Sequence, residues 1–255
     1  MIISLIHANT SLDYENAAAL KIIVSSSRTD LIDIFLSSEN FNERLASIAF
    51  SSIDLNATPD VRVTIASKLL AKGASGTPLH DALIYAVKTD HIEAVNLLLE
   101  GNGFSKASVD YRDAAAIKDA ISREKIQVAK LLLASGSPQP SSASSSFPHI
   151  WLCSKEGRLV LAQELLNHGA AGVDVNVGLV LALEDRGPNR DHRLIKLLVR
   201  GRADLGFENG RALELATTFF DMIALEMLLA EKPPVSPHVA EILFPLQNSI
   251  AVFEN

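Results

Sequence analysis

One cysteine and seven histidines are the residues through which this 255-residue chain could do nucleophilic or metal chemistry. Cys153 beside an imidazole would be a thiolate nucleophile. The histidines are His7, His80, His91, His149, His168, His192 and His238. No two of them stand at i and i+4, and a single thiol cannot supply the paired cysteines of a zinc site. No Gly-x-x-x-x-Gly-Lys-Ser/Thr string occurs, so there is no phosphate-cradling loop of that kind. No Gly-x-Ser-x-Gly elbow occurs either, and Gly73-Ala74-Ser75-Gly76 falls one residue short of it. Asp30, Asp33, Glu93 and Glu226 lie near Lys or Arg on helical stretches and read as solvated faces. No catalytic, cofactor-binding or metal-binding residue is assigned. The chain reads as a protein that binds, not as an enzyme.

The elements that would position such residues are helices. The chain is 48% hydrophobic but only 5% aromatic. Leu, Ile, Val and Ala in that proportion suit closely packed helices better than a β-sandwich. So much apolar material excludes disorder throughout. The net charge is −7, and the cations are dispersed, so nucleic acid is excluded as a partner and an anionic membrane surface would repel the chain. No apolar stretch approaches the roughly 18 residues that span a bilayer. Met1 to Ile6 is too short for a signal peptide. A lone cysteine forms no intramolecular disulfide and points to a reducing, intracellular and cytoplasmic setting.

The chain repeats itself. Ser11–Leu36 (SLDYENAAALKIIVSSSRTDLIDIFL) aligns without gaps on Ser108–Leu133 (SVDYRDAAAIKDAISREKIQVAKLLL), and Asp204–Leu229 joins the same register. A shorter unit underlies this. Leu36, Leu70, Leu99, Leu133, Leu166, Leu198 and Leu229 each close an apolar helical stripe, at spacings between 29 and 34 residues. Three residues after four of them stand Gly73, Gly136, Gly169 and Gly201, with Asn102 in the equivalent place after Leu99. Gly and Asn suit the left-handed turn that ends a helix. Each unit reads as two short helices. In the third, Ala82, Leu83 and Ala86 mark the first helix, Thr89-Asp90-His91 the turn, and Ile92, Val95, Leu98 and Leu99 the second. A lone pair cannot bury its apolar face, but stacked pairs share one core.

A helix pair of about 33 residues with a leucine-rich second helix and a closing glycine resembles the ankyrin repeat. His91-Ile92-Glu93-Ala94-Val95-Asn96-Leu97-Leu98-Leu99, Lys130 to Ser137 and Leu165-Leu166-Asn167-His168-Gly169-Ala170 carry the likeness. Thr77-Pro78-Leu79-His80-Asp81-Ala82 has the letters of the family's first-helix opening, yet counting back from Leu99 puts that opening four residues later. Either this helix has an extra turn or the string is fortuitous, and Pro in a first helical turn favours the extra turn. Elsewhere the string decays to Ala17-Ala18-Ala19-Leu20, Ala114-Ala115-Ala116-Ile117 and Arg211-Ala212-Leu213. Loss of its Thr, Pro and His implies looser hairpin loops. The resemblance implies an all-α solenoid of about seven stacked helix-turn-helix repeats in one domain over residues 1–255. Its units are 10–40, 41–74, 75–104, 105–137, 147–170, 171–202 and 203–233, with partial units at 1–9 and 238–250. The two partial units read either as a longer array cut at both ends or as improvised caps. The Ser/Pro-rich segment 137–147 (SPQPSSASSSF) reads as a mobile loop, and Gly187-Pro188-Asn189-Arg190 as a long turn. In the repeat register Cys153 takes a small core position, and His91 and His168 fall where the family commonly has structural histidines.

Ankyrin repeats contact partner proteins through the hairpin loop before the first helix and through that helix's inner face. Carried over by register, the loop residues are Tyr14 and Glu15, Tyr111 and Arg112, and Phe207, Glu208 and Arg211. The helix-face residues are Lys88, Thr89, Ser122, Arg123, Lys155, Glu156, Thr218 and Phe219. Three aromatics in one register suit interface anchors. The other reading is that each ring packs on its neighbouring repeat. The implied function is a protein–protein interaction scaffold without cofactor, whose partner is another protein. The style of degeneration is also similar to ankyrin-like tails of large fungal proteins, some of which carry a sensor NTPase. The alternative function is therefore a sensing segment of such a receptor.

Overall fold

The computed structural model describes residues 15, 17–101, 105–185, 190–201 and 203–230. Among these are fourteen α-helices and two 3₁₀ turns, and no strand. The helices are α1 (Ala18–Ser25), α2 (Thr29–Leu36), α3 (Glu43–Phe50), α4 (Pro59–Leu70), α5 (Thr77–Lys88), α6 (Ile92–Glu100), α7 (Tyr111–Ser122) and α8 (Ile126–Gly136). They continue with α9 (Pro140–Ser146), α10 (Lys155–Asn167), α11 (Val173–Glu184), α12 (His192–Arg200), α13 (Arg211–Thr218) and α14 (Met222–Ala230). The 3₁₀ turns are Phe147–Leu152 and Phe207–Asn209. The chain forms two compact units, one running to Ala120 and including Gln127–Ser137, the other comprising Ile121–Ile126 and the residues from Pro138 onward. The partial units at 1–9 and 238–250, Tyr14 and most of the long turn at 187–190 lie outside the described residues.

Within each unit the helices pack like on like. In the first, α1 pairs with α2, α3 with α4 and α5 with α6, while α1 meets α3, α3 meets α5 and α4 meets α6. In the second, α11 pairs with α12 and α13 with α14, while α9 meets α11, α11 meets α13, α10 meets α12 and α12 meets α14. First helices thus stack on first helices and second on second, as a helical-repeat array requires. Leu20, Ile32, Leu45, Ile65, Leu69, Leu83 and Val95 are buried in the first unit, and Phe147, Ile150, Leu161, Leu179, Ile195, Leu213 and Leu228 in the second. Each such side chain contributes roughly 1.5–3 kcal/mol of burial. The stripe-closing leucines are buried at Leu36, Leu70, Leu99, Leu133 and Leu198. Leu166 is half-buried. Leu229 is 37% exposed, and Leu228 takes the core place.

The turns between paired helices are built by side chains that accept the free amides of the next helix. His91 Nδ1 accepts from the Ala94 amide at 3.1 Å. Ser154 Oγ accepts from Gly157 at 3.2 Å, Asp191 from Arg193 at 3.0 Å, and Asp221 from Ala224 at 3.0 Å. Such N-caps stabilise a helix by about 1 kcal/mol each. Two residues before the second helix opens, Ser27, Asp90, Glu124 and Phe220 take the left-handed conformation, at φ between 52° and 60°. After three of them, the Arg28, His91 and Asp221 amides reach back five residues to the Ile23, Ala86 and Ala216 carbonyls. That is the bond pattern that closes a helix in a left-handed turn.

Three sequence expectations are corrected. Gly73 (φ 85°) and Gly169 (φ 89°) do end their helices left-handed, but Gly136 and Gly201 do not. Ser137 (φ 48°) takes the left-handed turn after Gly136. A Cβ at Gly136 would collide with the Val109 side chain, and one at Gly201 would come within 2.9 Å of Leu166. Glycine is needed there for close approach, not for dihedral freedom. The segment 137–147 is not a loop: it contains α9, and the first helix of the fifth pair opens at Pro140, ahead of the expected boundary at 147. Its serines bond to the helix itself. Ser144 Oγ donates to the Pro140 carbonyl at 2.9 Å and Ser146 Oγ to the Ser142 carbonyl at 2.7 Å. With its hydroxyl satisfied, Ser146 is fully buried, beside buried Ser142 and Ala143. The third concerns the hairpin loops, which side chains of the preceding first helices tie down.

Candidate functional site

The helix α5 opens at Thr77 with Pro78 in its first turn and runs twelve residues. By contrast, α1 and α13 run eight. The Thr77-Pro78-Leu79-His80 string is the extra turn. Its imidazole joins two pairs: His80 Nδ1 accepts from the Ser108 amide at 3.0 Å. The same joint recurs where no histidine exists. Ser47 Oγ accepts from Ser75 at 2.9 Å, Ser144 Oγ from Ala171 at 3.0 Å, and Asn176 Oδ1 from Asp204 at 2.8 Å. Every one links the first helix of a pair to the segment before the next first helix. The expected looser loops are therefore corrected at these positions: Ser and Asn accept the amide that His accepts elsewhere.

On the face of α5, Thr77, Asp81, Tyr85 and Lys88, with Thr89 just past its end, line a cavity of about 520 Å³. Phe50, Ala66, Ala86 and Leu98 give it a buried apolar floor. Val63, Ala94 and Leu97 line it too and are only half-covered. The linker from Ser51 to Thr58 is what makes room. It holds eight residues where the α5–α6 turn holds three. Its Leu55 carbonyl accepts from Tyr85 Oη at 3.2 Å, which fixes the linker against α5. The Arg62 guanidinium lies 5.2 Å from the centre of the Tyr85 ring, a cation–π distance. Arg112 closes another side and pairs with Asp81 at 3.1 Å.

Of the residues expected to touch a partner, the structure brings Lys88, Thr89 and Arg112 together on this cavity. Tyr111 lies behind Arg112, its ring 5.0 Å from the guanidinium and 5.0 Å from the His80 ring of the preceding pair. Glu15 is exposed in a left-handed turn of the first unit and does not line the cavity. In the second unit, Arg123, Lys155 and Glu208 are exposed and Phe207 is half-buried. Arg211 is engaged by Glu214 at 2.9 Å and Glu184 at 3.6 Å. Phe219 lies 5.2 Å beneath the Arg190 guanidinium. Sequence reasoning did not single out Arg62, Tyr85 or Leu55. The long interval between Phe50 and Pro59 is the signal that could have found them.

The groups singled out for chemistry serve structure. Cys153 is buried, and its Sγ donates to the Ile121 carbonyl at 3.1 Å. Burial and then the Glu124 charge push the thiol pKa up, against the opposing pull of Arg158, so the thiolate is disfavoured. Glu124 accepts from the Ser154 hydroxyl and from its amide at 3.0 Å. Burial pushes the Asp221 carboxyl up, but the Ala224 amide, Arg190 and His192 outweigh it and hold the pKa at about 2. Arg190 reaches Asp221 at 2.5 Å and donates to the Leu183 and Asp185 carbonyls. That pin ties the turn before α12 to the turn before α14.

Stacked helix pairs joined at a constant register by side chain-to-amide bonds define a helical-repeat protein. Residues 76–114, which span α5, α6 and the opening of α7, match the family model for the ankyrin repeat. The chain therefore carries an ankyrin repeat at these residues, and ankyrin repeats are typically non-catalytic modules that bind other proteins. No curated protein and no solved structure matches it. No helix among the described residues is long and apolar enough to cross a membrane.

Proposed function

We propose that the chain is a protein–protein interaction scaffold without catalysis of its own, and that its contact surface centres on the exposed face of α5. The observation that carries this is the cavity on that face, lined by Lys88, Thr89 and Arg112 together with the Ser51–Thr58 linker. Its apolar floor and charged edge suit a side chain from a partner, because interface anchors fill pockets of this kind. In the second unit the same reading assigns contacts to Arg123, Lys155, Phe207, Glu208, Arg211 and Phe219. Glu15, and Tyr14 beyond the described residues, complete it in the first. A single buried thiol supports a reducing, intracellular and cytoplasmic setting.

The test is affinity capture from the native cell with the full chain, run beside Thr89→Arg, Tyr111→Ala and Phe207→Ala variants of verified melting temperature. A captured protein that Thr89→Arg loses and that a control substitution at exposed Glu226 keeps is the expected result. If every captured protein binds Thr89→Arg as it binds the unaltered chain, the α5 face is not the contact surface.

A further inference from the structure

Resting on that reading, we propose that the α5 groove receives an acidic segment of its partner, with a large aliphatic or aromatic side chain seated in the cavity and carboxylates beside it at Arg62, Lys88 and Arg112. Three cations and one carboxylate, Asp81, line the groove. This local excess of two positive charges stands in a chain whose net charge is −7. Arg112 meets Asp81 at 3.1 Å, and both side chains stay largely exposed, so the pair sits at the solvent edge and not in the floor. Arg62 is oriented by the Tyr85 ring, which the Leu55 carbonyl in turn holds in place.

A basic segment would meet like charge at this edge as water is displaced, whereas carboxylates would be attracted to it. A bare anion would find no use for the apolar floor of Phe50, Ala66 and Leu98. A volume of about 520 Å³ falls within the range of sites that enclose an apolar group. The chemistry of both parts points to a peptide that combines an apolar anchor with Asp or Glu.

The probe is a library of short random peptides displayed on phage and selected on the full chain at low salt. Enriched peptides are synthesised and titrated against the wild type, against Ala82→Trp, which fills the groove, and against the Arg62→Glu/Lys88→Glu double variant. Circular dichroism melts confirm folding, and Thr89→Trp, which blocks the groove without adding charge, replaces Ala82→Trp should the latter not fold. Enriched peptides should carry net negative charge and a large apolar residue, lose binding to the filled groove, and weaken about tenfold or more on charge reversal and on raising salt. Peptides blocked by the filled groove that are neutral or basic, or are indifferent to charge reversal, overturn the acidic partner and leave the binding surface standing. Peptides indifferent to the filled groove, or no enrichment at all, overturn both.

Discussion

Only a neutral imidazole can accept the Ser108 amide at Nδ1, so the joint made by His80 depends on protonation in a way that those made by Ser47, Ser144 and Asn176 do not. Burial lowers the His80 pKa below its ordinary value, with Asp81 opposing. A folded pKa below the unfolded one means that the contribution is complete above the unfolded value of 6.5 and is lost as pH falls through the folded one. His80→Asn, which keeps an acceptor as Asn176 does, should flatten the fall in melting temperature between about pH 7 and about pH 5. An unchanged slope would show that His80 does not titrate in this joint. The Asp221 pin acts in a separate window. With its pKa lowered from 3.8 to about 2, its contribution is complete above 3.8 and is lost as pH falls toward 2. Asp221→Asn should therefore weaken the protein near neutrality by about 2 kcal/mol and lessen its acid sensitivity below about pH 4, read by urea melts. The sequence made the letters of His80 visible but not the substitution of its role. Ser and Asn at the other joints carry no motif, and only the folded chain places them opposite an amide.

Among the elements, the second helices were legible because leucine at helical spacing has one reading, whereas α9 was not. Its composition, proline followed by serines, is that of a solvated spacer, and nothing local shows that the hydroxyls would turn back onto the helix carbonyls. What commits the segment to order is its neighbour, the Phe147 ring, fully buried after α9. Gly178 in α11 provides the slot for it: a Cβ there would stand 2.7 Å from Phe147 Cε1. Helix propensity alone makes Gly→Ala favourable by about 1 kcal/mol. Collision with a buried ring costs about 1–3 kcal/mol. Gly178→Ala should thus be destabilising by roughly 1 kcal/mol in thermal denaturation, and a gain in melting temperature would mean that the ring has room to move. The groove on α5 was half legible for a related reason. Lys88, Thr89 and Arg112 follow from the repeat register, but Arg62 and Tyr85 enter through a linker whose length departs from it.

Within each unit contacts run between successive pairs, so order should be greatest in pairs that meet a described pair on both sides. In the second unit α11 and α12 meet both α9 and α10 before them and α13 and α14 after them. Native-state hydrogen exchange should find the α11 and α12 amides slower than those of α14, at whose start Met222 and Ile223 are each more than half exposed. Equal protection along these helices would instead indicate one all-or-none unit. The repeat period and the all-helical class could be read from leucines alone because they are properties of the sum over pairs, and local decay of a motif does not erase them.

The bends between paired helices carry a consequence for engineering. Ser27, Asp90, Glu124 and Phe220 each hold a side chain in a backbone region that disfavours a Cβ by roughly 1–2 kcal/mol. At Ser27 and Phe220 glycine would forfeit only about 0.5–1 kcal/mol of unfolded-chain freedom, whereas at Glu124 it would also sever the bonds to Ser154. At Ser27, whose hydroxyl is buried without a hydrogen-bond partner, the exchange removes two costs at once. Hardening this scaffold for use as a display framework would therefore begin at its corners, leaving the interior untouched.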